Sequence, residues 1–244
     1  MLWILLSFLA AFFQALRAIF SKKSLKNIDE YLVAFALRFI STIVLLPLLF
    51  FIPIPTLDYQ FWIALLISGA ILSANTIFYM KALKHTDVSL AIPMISFTPI
   101  FLLGSSPLIL GEFPNLWGLI GILLIVAGSY SLNLKEKRHG YLGPFKKLLT
   151  NKGVRYMLLV AFIWGITANI DKIGVNHSSP IFWTIALDAI IALILLPITI
   201  YKSGSKIKHL KKKAWGLMPI GLSSTLEIIC SMYAIQLALV SYVV

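Results

Sequence analysis

The sequence predicts an all-α polytopic membrane protein built from two inverted-topology repeats of five helices, the second incomplete. About eight transmembrane helices are expected. Three observations carry this. Of 244 residues, 59% are hydrophobic and only 12% charged, with a mean hydropathy of +0.93; a soluble surface would need far more polar cover. The apolar residues fall in blocks of around 20, the length that crosses roughly 30 Å of hydrocarbon. Finally, residues 36–50 (ALRFISTIVLLPLLF) and 186–200 (ALDAIIALILLPITI) agree at six of fifteen positions, at an offset of 150 residues. Uniformly apolar blocks, with no alternation, exclude a β-barrel.

The blocks lie near 2–21, 31–52, 61–80, 88–110, 114–133, 155–171, 181–201 and 214–235. The first begins at Leu2, with no basic stretch ahead of it and no small-residue cleavage site behind, and reads as a retained span. The fourth contains Pro93, Pro99 and Pro107. Interior prolines free carbonyls and bend a helix, which suits either a cavity-lining helix or a kinked packing helix. In the fifth block Gly118, Gly121 and Gly128 fall within an arc of about 80°, a small-residue face for close contact inside the protein or with a second copy in a homodimer. The single cysteine, Cys230, sits in the last block and excludes an intrachain disulfide.

The net charge of +12 raises nucleic acid as a partner. The basic runs at 135–147 and 202–213 lack the interleaved aromatics of a base-stacking surface. They read instead as charges that orient the chain and touch anionic lipid headgroups of the bilayer, with no nucleic acid bound. With the N-terminus outside, eighteen Lys and Arg fall in inside connections and only Lys172 outside. The positive-inside rule therefore predicts that topology.

The 150-residue offset holds from about Leu6 to Phe50 and pairs Lys22 with Lys172. It then shifts to about 154, pairing Tyr79 with Tyr233. Five spans separate equivalent segments, so the second copy enters the membrane from the opposite side. Such inverted repeats are a mark of secondary transporters. The expected organisation is a first repeat at 1–133, a basic cytoplasmic linker at 134–154, and a second repeat at 155–244 that stops after three helices.

Particular residues resemble the EamA family of the drug/metabolite transporter superfamily. IWGITANIDK (163–172) is similar to the family's Trp-Gly start with a helix-ending Lys, here Trp164, Gly165 and Lys172. ALRF (36–39), FYMKALKHTDVSLAIPMISFTPIF (78–101) and GEFPNLWGLIGILLIVAG (111–128) resemble its second helix, its third-to-fourth junction and its Gly-Glu fifth helix. The resemblance implies a ten-helix carrier of small polar metabolites, often an exporter, in the plasma membrane. It also implies that helices nine and ten are missing, leaving a truncated fragment, or a subunit that needs a partner chain, as the alternative reading.

Intramembrane charges are the leading site candidates, each costing about 2.5–3.5 kcal/mol at a helix centre. Arg38 and Asp188 occupy the same repeat position. At 1.5 Å per residue they lie roughly 8 Å apart along the membrane normal, on opposite sides of the midplane. They form either a substrate-pathway pair that breaks during transport or a static ion pair. Glu227 suits proton coupling or a structural hydrogen bond. Gln14 and Arg17, one turn apart, either face the cavity or leave Arg17 to snorkel to the inner surface. Asn75 and Asn169 read as interhelical hydrogen-bond partners, and Trp164 joins the pathway through the family resemblance. Glu112 reads as a solvated loop acid or a helix-packing residue. All four histidines lie in connections without metal-ligand spacing. No metal, cofactor or catalytic residue is therefore expected, and a membrane-embedded enzyme is the third reading.

Overall fold

The computed structural model describes residues 2–132, 150–204 and 210–244. The basic run at 135–147, most of the linker and the middle of the run at 202–213 lie outside the described residues. Among the described residues all regular structure is helical: α1 (Leu2–Leu25), α2 (Glu30–Leu45), α3 (Tyr59–His85), α4 (Val88–Ala91), α5 (Thr98–Ile109), α6 (Leu116–Leu132), α7 (Lys152–Asn176), α8 (Pro180–Ser203), α9 (Leu210–Leu237) and α10 (Val240–Val243).

Short polar residues start these helices. Asp29 accepts from the Tyr31 N–H at 3.2 Å, and Asp58 from the Phe61 N–H at 3.0 Å. Asn151 accepts from the Gly153 N–H at 2.8 Å, and Ser179 from the Phe182 N–H at 3.3 Å, ahead of Pro180. Each satisfies a donor that a helix N-terminus leaves free. The repeated Leu-Leu-Pro behaves differently in its two settings. Pro47 ends α2 in a 3-10 turn, Leu46–Phe50, whereas Pro197 sits within an unbroken α8.

Among the described residues seven spans are long and apolar enough to cross a membrane: Leu2–Leu25, Glu30–Phe50, Tyr59–His85, Val88–Ile109, Lys152–Asn176, Pro180–Ser203 and Trp215–Leu237. The protein is a polytopic helical membrane protein. The remaining expected span contains α6, an apolar helix described from Leu116 to Leu132, where the described residues end.

The fourth span is broken as its prolines require. It runs as α4, a 3-10 segment Ile92–Phe97 with Pro93 in its first turn, and α5 with Pro99 in its first turn and Pro107 inside. The Ser129 hydroxyl on α6 donates to the Pro93 carbonyl at 2.5 Å. A neighbouring helix thereby satisfies backbone that the break exposes.

Packing sets α1 along α9, α3 along α7, and α2 against α8. Leu37, Met80, Leu83, Met157, Trp183, Leu187 and Leu195 fill the core between them. Close approach is decided at Gly174, where an added Cβ would fall inside the Trp183 ring. The outer surface is apolar, with Phe8, Trp62, Leu66, Leu124 and Leu193 exposed, while Arg17, Arg38, Asp171 and Asp188 are buried. Lipid contact without and polar groups within is the arrangement a bilayer imposes.

Candidate functional site

A cavity of about 160 Å³ lies inside the bundle. One helical stripe of α7 lines it: Trp164, Thr167, Ala168 and Asp171, spaced at i, i+3, i+4 and i+7. Gln14 and Arg17 of α1, Arg38 of α2 and Glu227 of α9 complete its polar wall.

Two ion pairs organise this wall. The Arg38 Nη1 donates to Asp188 Oδ1 at 2.6 Å, and the rest of its fork donates to Thr76 Oγ1 at 3.3 and 3.2 Å. The other oxygen of Asp188 accepts from Ser41 at 2.5 Å, and the Ser41 hydroxyl accepts from Thr225 at 3.0 Å. Residues equivalent in the sequence repeat are therefore joined directly, with Arg38 facing the cavity and Asp188 fully buried behind it. The network ties α2, α3, α8 and α9 at one point.

The second pair is Arg17 with Glu227, Nε to Oε2 at 3.0 Å, both nearly enclosed. Their contact is not aligned as a hydrogen bond: Arg17 Nε and Nη2 and Glu227 Oε2 lack hydrogen-bond partners among the described residues. The guanidinium also lies over Tyr79 and Trp164, 4.8 and 5.7 Å from the ring centroids, within cation–π range. Arg17 therefore does not snorkel to a surface. A carboxylate and two aromatic faces inside the bundle offer it more than the headgroups do.

The other candidates separate into distinct settings. Asn169 is an interhelical partner: its Nδ2 donates to Ser105 at 2.9 Å, and its Oδ1 accepts from Ser106 at 2.7 Å. Asn75 is not its counterpart. It borders a small void with Arg17, Thr76 and Tyr79, and its Oδ1 has no hydrogen-bond partner among the described residues. Gly118 lies beneath the Tyr242 ring, but Gly121 and Gly128 have no atoms within reach of an added Cβ. The three glycines do not act together as one internal packing face.

Lys172, expected in a connection, sits elsewhere, whereas Glu112 lies in the connection between α5 and α6. Lys172 lies within α7, and its Nζ donates to Glu112 Oε1 at 2.5 Å and to the Ala238 carbonyl at 2.8 Å. Glu112 is thereby a packing residue, and its other oxygen accepts from the Val240 N–H at 3.3 Å. The repeat partner Lys22 does comparable work, donating to the carbonyls of Leu83 and Thr86 at 2.7 and 2.8 Å. Each lysine closes the C-terminal end of another helix, where carbonyls lack intrahelical donors.

Asp171 is the residue that the sequence reading missed. Its Oδ1 accepts from Ser68 at 2.5 Å, and its side chain lines the cavity. Standing beside Lys172 at the edge of an apolar block, it read as the end of a span. The helix runs on to Asn176, which carries Asp171 inside. The i, i+7 relation to Trp164 was the available signal.

The chain is similar to known proteins. The model of the EamA-like transporter family matches residues 1–134 and 151–244. A relative from Archaeoglobus fulgidus (strain ATCC 49558 / DSM 4304 / JCM 9628 / NBRC 100126 / VC-16) is 30% identical over 205 residues, covering 83% of this chain and 69% of its own length. It bears the name "Uncharacterized transporter".

Proposed function

Because this chain belongs to the EamA-like transporter family, we propose that it is a secondary carrier moving a small organic metabolite across the plasma membrane by alternating access. Membrane transport itself follows from the family and from seven spans able to cross a bilayer. The observation that carries the finer reading is the Arg38–Asp188 pair at the cavity wall. It bridges α2 and α8 at equivalent positions of the two sequence copies, and a pair placed there holds one arrangement of the copies until it parts. Rocking of related halves about such a point is how inverted repeats expose a site to alternate sides.

The helix pairings support the repeat at 1–133 and 155–244. Under the 150-residue offset, α1 on α9 exchanges with α3 on α7, and α2 on α8 maps onto itself. The basic connections support a cytoplasmic linker and an N-terminus outside. The contact between Glu227 and Arg17 favours a structural role for Glu227 over proton coupling.

The test is metabolite profiling of the medium around cells expressing the protein or its Asp188→Asn variant, followed by flux of the leading solute in liposomes. A solute that accumulates outside with wild type alone, and crosses the liposome unchanged, is the expected result. No difference in any solute overturns the carrier reading, and a chemically altered solute replaces it with an enzyme.

A further inference from the structure

The charges in and behind the cavity do not balance. Arg17 and Arg38 face three carboxylates, Asp171, Asp188 and Glu227. Arg38 is committed to Asp188 and Thr76, and Arg17 to Glu227. Lys172, next to Asp171 in sequence, is turned away to Glu112 and Ala238. Asp171 therefore has no ion-pair partner among the described residues. The group that hydrogen-bonds its carboxylate is the neutral Ser68 hydroxyl.

A carboxylate without an ion-pair partner inside a membrane is costly as a charge, and either a proton or a bound cation neutralises it. We infer that Asp171 is a recognition site for the ammonium group of a small cationic solute held in the cavity. The inference rests on the carrier reading and names its substrate class. The shape agrees. About 160 Å³ falls below the roughly 300 Å³ at which pockets accept drug-sized ligands, so the solute is small. The Trp164 face and the apolar side chains of Leu72, Ile95 and Ile235 lie in the same wall and suit a short aliphatic body.

Three probes of matched size separate the chemistries: butylammonium, butyrate and butanol, each added to the purified full-length protein while its thermal unfolding is followed. The expected result is stabilisation by butylammonium alone. Asp171→Asn, which keeps the shape and can still accept from Ser68, weakens that binding at least tenfold. Asp171→Glu retains part of it. Equal stabilisation by butyrate or butanol overturns the inference, as does stabilisation by no probe or unchanged binding in Asp171→Asn. If Asp171→Asn does not fold, the probe comparison on wild type decides alone. A carrier that moves solute yet shows no preference for butylammonium loses only this site. Butylammonium binding without flux of any solute retains the site and removes the carrier.

Discussion

Arg38 and Asp188 stand 150 residues apart, at the same position of two similar segments, and meet nitrogen to oxygen at 2.6 Å. Opposite charges at equivalent positions neutralise each other where the two copies touch. A bilayer tolerates both because neither is left alone.

Removing one partner should therefore cost more than removing both. Arg38→Met strands the fully buried Asp188 and should lose about 3–5 kcal/mol. The double variant Arg38→Met/Asp188→Leu should be the more stable of the two. Thermal unfolding of the single and double variants in detergent measures this, and additive losses would show that the pair is not coupled.

Lys22 should anchor the far end of α3. Its Nζ holds the Leu83 and Thr86 carbonyls, so Lys22→Met leaves that terminus without its outside donor. Amide exchange at residues 83–86 should rise about tenfold, which is roughly 1.4 kcal/mol. Exchange at the start of α3, around Phe61, should stay unchanged.

Two glycines should respond in opposite directions to one methyl group. Gly174→Ala drives a Cβ into the fully buried Trp183 ring and should destabilise by about 1–3 kcal/mol. Gly121→Ala meets open space and should be neutral or stabilising by up to about 1 kcal/mol, since alanine favours a helix interior. Paired melting curves decide. A loss at Gly121 would reveal a partner pressed on that face, such as a second copy.

Asp58 links stability to pH. The Phe61 N–H that it caps, helped by His177 at 2.7 Å, holds its carboxyl below the usual carboxylate range. A depressed carboxyl contributes stability above its unfolded value, near pH 3.9, and loses it as pH falls through the folded one. The difference in melting temperature between wild type and Asp58→Ala should persist at about pH 6 and shrink progressively as pH falls below about 3.9. A difference unchanged across that range would contradict the cap.

The sequence alone determined the solvent of this protein. Blocks of about 20 apolar residues have no stable home but a membrane, and the seven membrane-crossing spans answer to the same residues. It also marked Arg38, Asp188, Arg17 and Glu227, because charge inside an apolar block is conspicuous wherever the block ends up. It marked Pro93 and Pro99 because a missing N–H and a fixed φ act locally.

What a side chain faces was not legible. Arg17 read as either facing the cavity with Gln14 or reaching for the surface, and only packing decided for the cavity and brought Glu227 and two aromatic rings within its range. Gly121 and Gly128 read as a contact face, internal or with a second copy, and no described residue of this chain packs on them. Asp171 and Lys172, adjacent in the chain, point to different partners because successive helical residues turn about 100°. One enters the cavity and the other closes a helix end. Apolar periodicity fixes which segments cross the bilayer. Only the rotation of each helix against its neighbours decides which polar atoms meet, and in a helix that is apolar on every side the sequence leaves that rotation unmarked.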